Sequence, residues 1–153
     1  MPGFTRNWLA KSRRGARLPA AESAWTASLR EPLLFVLHLG YVWLALGLVL
    51  VGLDASSAAL HALTVGAIGT MTLAVMTRAS LGHTGRALSA DGATIAIYVL
   101  VTLAALLRVL SPLAGAHAVT VNSLAGLAWS GAFGTFALHY GRFLIQGIPY
   151  RLT

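Results

Sequence analysis

Five histidines and a few arginines are the residues of this chain whose types and spacing can do chemistry, because almost everything around them is apolar. His61 and His83 bracket one long hydrophobic stretch. At about 1.5 Å per helical residue they lie roughly 33 Å apart, close to the thickness of a hydrocarbon core. Arg78 falls just inside the His83 end of that stretch, His38 about one and a half turns into the preceding apolar run, and Arg108 at the end of the following one. Neutral imidazole ligates haem iron and copper and tolerates an apolar pocket, so His38 and His61 are the leading ligand candidates. His83 and His139 join them as candidate metal ligands, and His117 stands lowest. The competing reading is structural: a histidine near a helix end hydrogen-bonds a carbonyl and does nothing more. Arg78 and Arg108 each carry two readings as well. A long arginine side chain snorkels to the headgroups, or its planar fork grips a haem propionate or a small anion.

The remaining chemistry is sparse. The carboxylates are Glu22, Glu31, Asp54 and Asp91, all in tails, loops or at a helix start. No carboxylate pair lies inside an apolar segment, which argues against an internal proton relay and against acid–base hydrolysis. There is no cysteine, so thiolate metal sites, iron–sulfur clusters and disulfides are excluded within the chain. No Ser-His-Asp set or phosphate-cradling motif is visible. Gly82-His83-Thr84-Gly85-Arg86 follows no strand and is a weak phosphate loop. The sequence assigns no catalytic residue.

The elements that must position these residues are membrane helices. Of the 153 residues 57% are hydrophobic and only 10% charged, with mean hydropathy +0.75, against about 25% charged residues in a soluble domain. Four apolar segments are expected as helices, about 33–53, 56–81, 93–110 and 118–140. Pro32 starts the first, Gly82 and Gly85 stop the second, Ser111-Pro112 the third and Gly141-Arg142 the fourth. Their lengths suit bilayer spans, and they lack the alternation of spanning strands. Short connections make neighbours antiparallel. The expected fold is an all-α polytopic transmembrane bundle of four antiparallel helices over 32–142, between a basic tail (1–31) and a short tail (143–153).

The net charge of +7 is concentrated on one side. Arg6, Lys11, Arg13, Arg14, Arg17 and Arg30 precede the first span. Arg86, Arg142 and Arg151 fall on the same side, and Arg108 on the other. This asymmetry puts both termini in the cytoplasm. The basic tail shows no binding fold, so it reads as juxtamembrane, with the lipid bilayer and not nucleic acid as its partner. No apolar core precedes Pro32, so no signal peptide is expected. Small residues mark helix contacts: Ala62, Gly66, Gly69 and Thr70 share one face, and Gly126, Ser130 and Gly134 recur every four residues. A second stripe, His61, Thr64, Ile68, Met71, Val75, Arg78 and Gly82, is expected to face a neighbour, a cavity or a cofactor.

These residues resemble a known family. The run from His61 to Met71, through Met76-Thr77-Arg78, to Leu81-Gly82-His83-Thr84-Gly85-Arg86 is similar to the NnrS family, bacterial membrane proteins of the nitric-oxide response. The run from Arg30 through His38 to Tyr41, and that from Val101 to Arg108, match it too, so the resemblance covers about residues 25–112. It implies a multi-pass protein of the bacterial inner membrane, containing haem and copper and linked to tolerance of nitrosative stress. It strengthens His38, His61 and His83 as ligands and makes Arg78, Arg86 and Arg108 functional candidates. Family members have about twelve spanning helices, so this chain looks like their carboxyl-terminal third, completed by self-association or by a second membrane chain. The competing expectations are a cofactor-free helical interaction subunit and a small transporter component.

Overall fold

The computed structural model describes residues 31–145. The basic tail expected over 1–31 lies outside the described residues apart from Glu31, as do residues 146–153. Four long helices make up the fold: α1 (Pro32–Gly52), α2 (Ser56–His83), α3 (Gly92–Leu110) and α4 (Ala118–Ile145). Two short 3₁₀ turns, Ser111–Leu113 and Gly115–His117, join α3 to α4. There is no strand among the described residues. The fourth helix continues past Gly141, which is tolerated inside it, and runs to Ile145.

Local sequence explains the boundaries. Pro32 occupies the first turn of α1, where its missing N–H removes nothing. Asp54, at φ 61°, reverses the chain between α1 and α2, a left-handed conformation Asp adopts more readily than most residues. Asp91 caps α3: its Oδ1 accepts the Thr94 N–H at 2.9 Å and the Thr94 hydroxyl at 2.8 Å. Gly85, at φ 64°, turns the chain just after α2.

α1, α2 and α3 are each long and apolar enough to cross a membrane. The fourth helix is longer than any of the other uninterrupted helices, but Asn122, Ser123, Ser130 and His139 dilute its apolar character.

Neighbours run antiparallel. Gly40 lies against Met71, Trp43 against Gly66 and Gly47 against Leu63 along the α1–α2 seam. Thr77 meets Tyr98 between α2 and α3, and Thr94 meets Tyr140 between α3 and α4. The main core joins Leu33, Val36, Leu73, Ile97, Val101, Ala132 and Phe136, and a smaller one gathers Trp43, Ala62, Ala67 and Ala105. The outer surface is strongly apolar, as a bilayer requires: Tyr41, Val42, Leu48, Leu127 and Leu138 are all more than half exposed.

The second helix is interrupted. Its middle, Ala62–Gly69, winds as a π-helix between the α-helical stretches Ser56–His61 and Thr70–His83. The wider turn changes which residues face inward. Ala62, Gly66, Gly69 and Thr70 are buried, so the small-residue face expected from sequence is the packing face. The His61-to-Gly82 stripe lies mostly outside it: Ile68 is 62% and Val75 57% exposed, Thr64 and Gly82 are exposed, and His61, Met71 and Arg78 are half-buried. Within one chain the stripe therefore meets a neighbouring helix only in part, at Met71 against Gly40. The physical reason is close approach: Trp43 can sit on α2 only where the facing residue is glycine. On α4 the Gly126, Ser130 and Gly134 stripe is also exposed, and helix contacts are made instead by Ala125, Ala128, Ala132, Phe136 and Tyr140.

Candidate functional site

Apart from His38, the candidate residues divide between two ends of the bundle. At one end lie His61 and Arg108. His61 closes the first α-helical stretch of α2 and is half-buried, within electrostatic reach of the Arg108 guanidinium in the last turn of α3. No carboxylate pairs with Arg108 among the described residues. Beside it α2, α3 and α4 leave a partly open cavity of about 220 Å³, lined by Val65, Ala104, Arg108, Ala125, Gly126, Trp129 and Ser130. His117, in the connection at this end, is exposed.

At the opposite end a polar network ties α3 to α4. His139 Nε2 lies 2.8 Å from Asp91 Oδ2, while Asp91 Oδ1 holds Thr94, whose hydroxyl is also bonded to the Tyr140 hydroxyl. Burial by itself would raise the Asp91 carboxyl. The hydrogen bonds from Thr94 and the His139 ring outweigh it and hold that carboxyl below its ordinary value. One turn further in on α3, Tyr98 bonds the buried Thr77 hydroxyl, and Arg78 lies within electrostatic reach of Tyr98. Arg86 stacks its guanidinium 3.8 Å from the centre of the Phe143 ring, a cation–π contact that fastens the α2–α3 loop to α4. Sequence reasoning missed this cluster because Asp91 and His139 are 48 residues apart and neither stands in a motif. The only local signal was Asp91 three residues before Thr94, a cap.

The histidines proposed as ligands do not converge. His38 is exposed on α1, and its Nδ1–H donates to the Leu34 carbonyl at 2.9 Å, which leaves the ring's lone pair on Nε2. The α1–α2 register sets His38 level with about residue 72 of α2, more than ~10 Å along the bundle from both His61 and His83. Ligands of one metal ion lie about 2 Å from it, so no two of these three histidines share an ion within one chain. His83 is exposed at the end of α2, and His139 is engaged with Asp91. Among the described residues no group of three or more His, Asp or Glu side chains is placed to hold a metal ion.

Copper, which needs several ligands, therefore does not fit the described residues of one chain. Haem places a lighter demand, since one axial histidine suffices in many haem proteins. His61, with Arg108 beside it to meet a carboxylate, fits that demand. A second, larger hollow of about 440 Å³ between α1 and α3 is lined by Phe35, Val36, Leu39, Tyr98 and their neighbours. It is apolar and suits acyl chains.

Fold and site together define a multi-pass helical membrane protein whose charged and imidazole groups, His38 apart, gather at the two ends of the bundle. A family model described as NnrS protein matches residues 15–147, most of the chain. The chain belongs to the NnrS family, and the match runs through α4, beyond the region where the family motif is legible by eye. No curated protein and no solved structure matches it.

Proposed function

We propose that this chain is a haem-binding membrane protein of the nitric-oxide response, acting in the bacterial inner membrane with both described ends of the bundle's chain facing the cytoplasm. The observation that carries the reading is that Arg108, which has no carboxylate partner among the described residues, lies within electrostatic reach of His61. His61 would hold the iron, and Arg108 would hold a propionate and so orient the ring. Bound haem supplies an iron on which a small diatomic ligand can bind. Neutral imidazole is the form that ligates. Family membership supports the link to nitrosative stress.

A copper site would need ligands from beyond one chain. The exposed Gly126 and Gly134 of α4 support self-association as the source, since their flat surface lets a second helix approach closely.

The test is optical. Protein purified in detergent and incubated with haemin is expected to show a Soret band that His61→Ala abolishes or shifts and that His38→Ala leaves in place. A folded sample with no Soret band refutes haem binding and favours the cofactor-free interaction subunit.

A further inference from the structure

The cavity beside Arg108 is rich in donors, and no carboxylate lines it. Arg108, Trp129 and Ser130 all line it. The Arg108 guanidinium, the Trp129 indole N–H and the Ser130 hydroxyl form no hydrogen bond or ion pair with any described residue. In water such groups would be solvated. Here Trp129 and Ser130 lie about 17–18 Å along α4 from its start, on an exposed face of a helix packed among membrane-spanning neighbours. Unpaired donors in hydrocarbon are costly, and an unpaired guanidinium more so. Ala104, Ala125 and Gly126 supply the hollow, because any larger side chain there would fill it.

We infer that Arg108, Trp129 and Ser130 form a binding site for a planar oxyanion of the carboxylate type. The guanidinium meets two oxygens with parallel N–H bonds and neutralises the charge, and the indole and hydroxyl donate to the remaining lone pairs. A cavity of about 220 Å³ is larger than such an anion alone. It holds either a free anion with water or a carboxylate on an apolar stem, such as a haem propionate. The inference shares Arg108 with the haem reading above but stands without it.

The test uses formate as the probe. Full-length protein in detergent micelles is titrated with 13C-formate and the formate line width is followed. Saturable broadening is expected. Arg108→Gln should weaken it roughly tenfold or more, and Ser130→Ala and Trp129→Phe about threefold each. Arg142→Gln, which alters an exposed arginine at the other end of α4, should leave it unchanged. Displacement of formate by haemin but not by haemin dimethyl ester assigns the site to a propionate. Displacement by neither assigns it to a free anion, and both outcomes support the site. Absence of a Soret band leaves the formate result standing and removes only the haem reading. Broadening that never saturates, or that persists in folded Arg108→Gln, overturns the inference. Should Arg108→Gln not fold, unchanged binding in both Ser130→Ala and Trp129→Phe overturns it equally.

Discussion

Gly66→Ala is expected to destabilise the bundle although alanine is the better helix former. A Cβ added at Gly66 would lie 2.7 Å from Trp43 Cδ2, 2.8 Å from Cγ and 2.9 Å from Cε3. Ordinary carbon contacts begin near 3.5 Å, so the indole must retreat by more than half an ångström. Trp43 is only 4% exposed, and the clashing atoms sit at the fused base of the ring, not at a flexible tip. Overpacking of this kind costs about 1–3 kcal/mol. The helix-propensity gain of glycine to alanine returns at most about 1 kcal/mol. The net expectation is a loss of up to about 2 kcal/mol. Gly82→Ala is the internal control, because nothing lies within 4 Å of its Cβ position and the residue is exposed near the end of α2. It should be neutral or gain up to about 1 kcal/mol. The assay is reversible unfolding in mixed micelles titrated with a denaturing detergent and followed by far-UV circular dichroism. The double variant Trp43→Leu with Gly66→Ala should recover part of the loss, giving a coupling energy that identifies the clash as its source. A Gly66→Ala protein as stable as the parent would refute the α1–α2 register on which the histidine separations rest.

Three further outcomes are expected from the same measurement. Asp91→Ala should cost about 1 kcal/mol for the lost helix cap, with a smaller addition from the half-exposed pair to His139 after solvent screening, whereas Asp91→Asn should keep most of the cap. Because the Asp91 carboxyl is held below its ordinary value of 3.8, its stabilisation is fully present above that pH and is lost as pH falls through the lower folded value. The margin of the parent over Asp91→Asn should thus disappear only in acid below pH 3.8, and a margin that vanishes nearer neutrality would contradict this account. The Thr70 hydroxyl is buried without a hydrogen-bond partner, so Thr70→Val should be neutral or stabilising by up to about 1 kcal/mol. A clear loss would show that the hydroxyl is satisfied at the π-to-α junction.

The four helices were legible in the sequence because their signals are local. Proline at position 32, the glycine after α2 and the length of each apolar run depend only on neighbouring residues and on the thickness of the solvent they must cross. The buried face of α2 was legible for the same reason, since glycine, alanine and threonine recur where backbones must approach. Periodicity of 3.6 residues per turn put the His61-to-Gly82 stripe on one inward face, whereas its members divide between half-buried and exposed positions. The π-helical stretch breaks that phase, and no local residue pattern announced it.

The amino-acid sequence by itself determined the solvent, the number of rods, their antiparallel order and the family to which they belong. Only the tertiary structure decided which polar groups meet. It separated His38, His61 and His83, joined Asp91 to His139, and left Arg108, Trp129 and Ser130 around one hollow. Those pairings depend on helix register and rotation, which are set by close packing between residues distant in sequence and not by any pattern within a single helix.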